Sequence, residues 1–239
     1  MASREETRYR PCRVLDDNQI PYVVWFEDAL HHYGVPTVVF DLYILVPSIE
    51  IAADCLVKAG WALQSGHTIG MAEVQIPQQR LVLPGETEMQ TVLLSVSDWK
   101  FSLDDSRRRV SLSKGVDVVI PPLPSLLDAL IETWLDGPSD DPTLLLHLAC
   151  QVNYLYDYVP VLKERSFADQ MRYEHRQLHY DVLAGMDAST LPFRNHERGV
   201  REALLQGRYE LQECSASRED KLLSGDWGSV RLPEPEAQE

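Results

Sequence analysis

The sequence predicts an α/β (α+β) fold whose second half is helical, on three observations. A strand, a helix, a second strand and a second helix follow one another between Ile20 and Gly60. Thr37 to Val46 is an almost unbroken run of β-branched, aromatic and aliphatic residues, as expected of a strand covered on both faces. Beyond Pro124, Leu126, Leu127, Leu130, Ile131 and Trp134 recur at helical spacing.

Residues 1 to 13 read as a frayed polar start, and Val14 to Asn18 as the end of a short helix. Ile20 to Trp25 is a compact apolar strand. Glu27 to Tyr33 is a helix with acids in its first turn, where the backbone dipole favours them, and Gly34 supplies its stop. Pro47 ends the strand 37–46. Ser48 caps a helix with Ile51, Ala52, Cys55, Leu56 and Ala59 on one face, closed by Gly60.

Short strands are expected at Val74–Ile76 and Arg80–Leu83, and a longer one at Thr91–Val96. Trp99–Leu103 and Val110–Leu112 flank Asp104-Asp105-Ser106-Arg107 as a hairpin, and Val116–Ile120 adds a strand. Pro121, Pro122 and Pro124 mark a change of regime. Helices are then expected at Thr143–Tyr158, Phe167–Leu183 and Glu197–Gln206. The sequence thus suggests an α/β domain over 14–122, a helical domain over 123–232 and a disordered tail over 233–239.

Composition limits function. The 239 residues include 22 Lys plus Arg against 37 Asp plus Glu, a net charge of −15 that opposes attraction to phosphate backbones and anionic membranes. Nucleic acid is therefore a disfavoured partner, with tRNA left open if a basic face is segregated. No apolar run reaches the roughly 18 residues of a membrane span, and the polar residues 1–8 lack the apolar core of a secretion signal, so a cytoplasmic location is expected. The four cysteines form no CxxC pair, so no zinc knuckle is suggested.

The run from Tyr22 to Trp61 resembles the core of the nucleotidyltransferase superfamily, particularly its small antibiotic-modifying and toxin-antitoxin branches. Ala29-Leu30-His31-His32-Tyr33-Gly34 is similar to the family's helix and its glycine end, and Phe40-Asp41-Leu42-Tyr43-Ile44-Leu45-Val46 to its metal-binding strand. Val116 to Leu127 is similar to the strand and helix that close the family's sheet. The chain also resembles uncharacterised proteins of filamentous fungi, through Trp25-Phe26-Glu27-Asp28-Ala29-Leu30 and Tyr33-Gly34-Val35-Pro36-Thr37-Val38-Val39-Phe40-Asp41.

The resemblance implies a mixed sheet with flanking helices and an Asp-x-Asp pair holding Mg²⁺ against a triphosphate. Here Asp41 is followed two places on by Tyr43, a poor ligand for a hard cation, and Trp25-Phe26-Glu27 stands where the family has a Gly-Gly or Gly-Ser turn. The chain therefore reads as a degenerate member, a pseudoenzyme binding a small ligand, such as a nucleotide, or a protein partner. Phe26, Glu27, Asp41 and Tyr43 would line its cleft.

The first alternative is a divergent Mg²⁺-dependent transferase, with Asp41 as metal ligand joined by Glu27 or Asp28 and by Asp117. A second is a fungal secondary-metabolism enzyme such as a tRNA-dependent cyclodipeptide synthase, although the expected Asp-Asp-x-x-Glu motif is absent. Lys100, Arg107 and Arg108 would offer an anion-binding edge, or simply a solvated hairpin face. His175 and His179, four apart with Glu174 and Asp181 nearby, give a weaker hint of a metal site.

Overall fold

The computed structural model describes residues 7–64, 76–105, 109–113, 116–137 and 141–215. The chain divides into two compact units, Met1–Leu162 and Lys163–Glu239. Residues on both sides of the expected 122/123 boundary lie in the first unit.

Helix α1 spans Arg10–Asp17, followed by strand β1 (Val23–Val24), helix α2 (Glu27–His32), strand β2 (Leu42–Val46) and helix α3 (Ile49–Lys58). Both glycine stops form as the sequence implies. Gly34 and Gly60 adopt φ of +94° and +104°, and the next residues donate back to Leu30 and Leu56 at 3.1 and 3.0 Å. Ser48 caps α3 by accepting from the Ile51 amide at 3.3 Å.

Strands β3 (Ala62–Gln64), β4 (Gln78–Leu83) and β5 (Glu86–Ser95) complete a mixed five-stranded sheet of order β1-β2-β5-β4-β3. The central pair β2 and β5 is parallel, with Leu42 opposite Thr91 and Tyr43 opposite Val92; the other pairs are antiparallel. All five residues of β2 are buried, which accounts for its continuous hydrophobicity. This strand begins after Asp41, so Thr37 to Asp41 approaches the sheet as irregular chain rather than as part of the expected strand.

The hairpin forms with different partners. Trp99 to Leu103 is not a strand; instead β6 (Arg109–Ser113) pairs with β7 (Val116–Val119) in a second, two-stranded sheet. The bulk of Trp99 and Phe101 explains the exchange. Both are buried, and Trp99 meets Phe26 edge-on at 4.7 Å while Phe101 meets Trp25 at 5.2 Å, so this apolar stretch fills the core as a loop. Helix α4 (Leu123–Asp136) and helix α5 (Pro142–Tyr158) finish the unit. Asp141 caps α5 through the Leu144 amide at 2.9 Å.

The second unit holds helices α6 (Arg176–Leu183) and α7 (Leu191–Leu205), after a series of 3₁₀ turns over Arg165–Gln170 and Tyr173–His175. The single helix expected over 167–183 is thus broken before Arg176. Thr190 caps α7 by accepting from the Phe193 amide at 3.3 Å. Val74 and Gln75 of the expected short strand, the hairpin residues Ser106 and Arg107, and the tail 233–239 lie outside the described residues.

Candidate functional site

The start of β2 presents its single acid to a guanidinium. Asp41 Oδ2 accepts from Arg80 Nη1 at 3.0 Å, and its Oδ1 accepts from the Gln90 amide at 3.1 Å. Arg80, on β4, is buried, and the same Nη1 donates to Gln90 Oε1 at 3.1 Å. The Tyr43 hydroxyl also hydrogen-bonds to Arg80. Burial, reinforced by Glu27 and Asp41, pushes the Tyr43 phenol up to about 12, so it remains neutral. Gln90 lies beside Asp41 on the parallel neighbour strand β5.

Among the described residues, Arg80 thus gathers the Asp41 carboxylate, the Tyr43 phenol and the Gln90 amide around a fixed positive charge, with the Glu27 carboxyl close enough to act on Tyr43 and Asp41. Both oxygens of Asp41 are engaged, and the side chain is only 17% exposed. Drawing it toward a metal ion would break its ion pair with the buried Arg80 guanidinium, which opposes metal binding at this position.

Asp28 is occupied by a second arginine. Its two oxygens accept from Arg8 Nε at 2.8 Å and Nη2 at 2.6 Å, and Tyr9 donates its hydroxyl at 2.7 Å. Arg8 also donates to the carbonyls of Phe40 and Asp41, each at 2.9 Å. Arg8 and Tyr9 are thus tied to Asp28 and to the chain before β2, and residues 10–13 are helical rather than frayed; residues 1–6 lie outside the described residues.

Phe26 is fully buried, with Tyr43, Trp99 and His147 edge-on to its ring at 5.2, 4.7 and 5.0 Å. Its backbone has φ +50° and ψ −125°, a conformation that favours glycine. The turn into α2 therefore has a glycine-like backbone geometry although its residue is Phe.

Glu27 has a different setting. It lines a cavity of about 400 Å³ with Leu30, Thr37, His147, Cys150, Gln151 and Tyr154 among its neighbours. Glu27 Oε2 and Gln151 Oε1 are buried with no hydrogen-bond partner. Burial raises the Glu27 carboxyl to about 7, and Asp28 and Asp41 add smaller repulsions. Burial has the opposite effect on His147, lowering it to about 4, so the imidazole is neutral; its Nε2 stands 2.5 Å from Gln151 Nε2.

Of the four acids proposed for the site from the sequence, Glu27, Asp28 and Asp41 lie close enough to interact. Asp117 is exposed on β7, in the separate two-stranded sheet. Lys100 is exposed on the turn after β5, and Arg107 and Arg108 lie outside the described residues. Sequence reasoning missed Arg8, Arg80, Gln90, His147 and Gln151. A charge at Arg80 inside an apolar strand was the one available signal, since such a residue needs a buried partner.

No family model matches the chain, and no curated protein matches it. Among solved structures it is similar to an antigenic nucleotidyltransferase-like protein from Paracoccidioides brasiliensis, at 15% identity and a TM-score of 0.39 over 70% of this chain and 90% of that one. It is also similar to JHP933 from Helicobacter pylori, at 14% identity and a TM-score of 0.33 over 87% of this chain and 95% of that one.

Proposed function

We propose that the protein is a degenerate nucleotidyltransferase relative, inactive in nucleotidyl transfer, that binds a small ligand in the cavity beside Glu27. The observation that carries this reading is Arg80. Its guanidinium meets Asp41, Tyr43 and Gln90, where an Asp-x-Asp enzyme would need a divalent cation and a second carboxylate. The glycine-like backbone at Phe26 supports the same ancestry.

The cavity favours a ligand that brings hydrogen-bond donors. Two of its lining residues, Glu27 and Gln151, each hold a buried unsatisfied oxygen that a ligand's donor would reach on a small side-chain rotation, while the described lining residues include no Lys or Arg to receive a phosphate. A nucleotide would be recognised there through its base rather than its phosphates. That all four cysteines are thiols suits a reducing compartment, and we place the protein in the cytoplasm.

Thermal shift with ATP, CTP, GTP and UTP, each with and without Mg²⁺ or Mn²⁺, tests this reading against transferase activity. The expected response is independent of metal, and nucleosides shift the protein as much as their triphosphates do. A shift that requires both triphosphate and metal, together with release of pyrophosphate, would overturn it.

Among the described residues, no helix is long and apolar enough to cross a membrane.

A further inference from the structure

The second unit contains a buried polar cluster unrelated to the Glu27 cavity. Asp181 on α6 and His196 and Glu197 on α7 bring one ligand atom each within 4.8 Å of one another. Asp181 is fully buried, and its Oδ1 accepts from Gln177 Nε2 at 3.0 Å and from the Ser215 amide at 2.6 Å. The Ser215 hydroxyl donates to Asp181 Oδ2 and stands 2.7 Å from His196 Nε2. The chain from Gln212 to Ser215 is therefore folded back onto α6, with the Gln212 amide donating to Gln177 Oε1 at 2.7 Å.

Glu197 is the anomaly. It is 2% exposed, its carboxyl hydrogen-bonds to Asp181, and its Oε1 is left with no hydrogen-bond partner. Two buried carboxyl groups in contact repel when both are ionised, and an unsatisfied buried oxygen costs free energy. A cation between them removes both penalties. The imidazole beside them narrows its identity, because His with carboxylates suits Zn²⁺ and Mn²⁺ better than the all-oxygen preference of Ca²⁺ or Mg²⁺.

We propose that Asp181, His196 and Glu197 form a binding site for a divalent transition-metal ion. Ligand atoms on one such ion lie at most about 4.2 Å apart. Around a tetrahedral ion the separation is roughly 3.4 Å, so a closure of up to about 1.4 Å is needed, within reach of side-chain rotation on two helices. Asp181 is already oriented by Gln177 and Ser215, the arrangement of supporting hydrogen bonds that metal-binding carboxylates use. The helical pair His175 and His179 is not part of the cluster. Both are buried, and His179 Nε2 instead lies 3.2 Å from the Glu164 carbonyl.

Calorimetric titration of the full chain, stripped with EDTA, tests the site with Zn²⁺, Mn²⁺ and Mg²⁺. One Zn²⁺ per chain is expected, with Glu197→Gln and His196→Gln each weakening it at least about tenfold and the exposed-histidine control His31→Ala leaving it unchanged. Co²⁺ supplies a second readout that needs no variant: bound at the cluster, it gives visible bands distinct from those of the aquo ion. Absence of saturable Zn²⁺ binding, affinity unaltered in both cluster variants, or a Co²⁺ spectrum identical to the aquo ion's would each overturn the proposal. Mg²⁺ binding as tight as Zn²⁺ would overturn the assignment to transition metals.

Discussion

Arg80 Nη1 lies 3.0 Å from Asp41 Oδ2, joining β4 to the start of β2 across the intervening strand β5. Because Arg80 is buried and Asp41 mostly so, removing the negative charge breaks the ion pair of a buried guanidinium. Asp41→Asn is therefore expected to destabilise the protein by about 2–4 kcal/mol, after allowance for the partly exposed acid. Urea denaturation measures the loss. A metal-binding acid behaves in the opposite way, since relieving a cluster of carboxylates stabilises the metal-free protein. Unchanged or increased stability would remove the argument that Arg80 occupies the cation's place.

Glu27 and His147 give the first unit opposed pH dependences. The Glu27 carboxyl is raised to about 7, so the folded state holds its proton more tightly than the unfolded chain does. Its stabilising contribution is complete below the ordinary carboxyl range near 4.5 and is lost as pH rises through about 7. The His147 imidazole is lowered to about 4, so its contribution is present above its ordinary value of 6.5 and is lost as pH falls toward 4. Between about pH 4.5 and 6.5 the two slopes oppose one another. Glu27→Gln removes one of them: the variant should gain stability with rising pH across this window and exceed the wild type at about pH 8 by about 1–3 kcal/mol. Melting temperatures from about pH 4 to 9 for both proteins provide the check, and parallel curves would contradict the buried state of Glu27.

Local rules made the frame legible in the sequence. Gly34, Gly60 and Ser48 act within one helical turn of themselves, and their roles follow from chain-local hydrogen bonds. The site was less legible because its partners are distant in sequence: Arg80 and Asp41 are 39 positions apart, and Arg8 and Asp28 are 20. Apolar strength misled at Trp99 and Phe101, where bulk suited to a strand is buried by a loop. Periodicity misled over 167–175, because 3₁₀ turns place residues three apart on one side and so mimic helical spacing over a short stretch.

The Arg8 fork predicts a local consequence as well as a global one. Asp28→Asn removes the charge and one of the acceptors that hold Arg8 and Tyr9, and is expected to destabilise the protein by about 3 kcal/mol. The pair is enclosed, so raising the salt concentration should reproduce little of that loss. Limited proteolysis should show the variant cut first within residues 7–17, where Arg8 secures the chain. Cleavage there at the wild-type rate would mean that α1 is held by its apolar face alone.

Phe26 permits a test in which the usual ranking of two substitutions reverses. Truncating a buried Phe costs about 3–5 kcal/mol, whether to Ala or to Gly. Elsewhere Gly is the worse replacement by roughly 0.5–1 kcal/mol, because it frees the unfolded chain. At φ +50° and ψ −125°, however, Ala retains the backbone strain, about 1–3 kcal/mol, and Gly relieves it. Phe26→Gly should therefore be more stable than Phe26→Ala, although both are less stable than the wild type. Equilibrium unfolding of the two variants side by side decides the matter, since the lost aromatic contacts with Tyr43, Trp99 and His147 are common to both. If Ala proves the more stable, the turn does not have glycine-like geometry, and the support it lends to a nucleotidyltransferase ancestry falls with it.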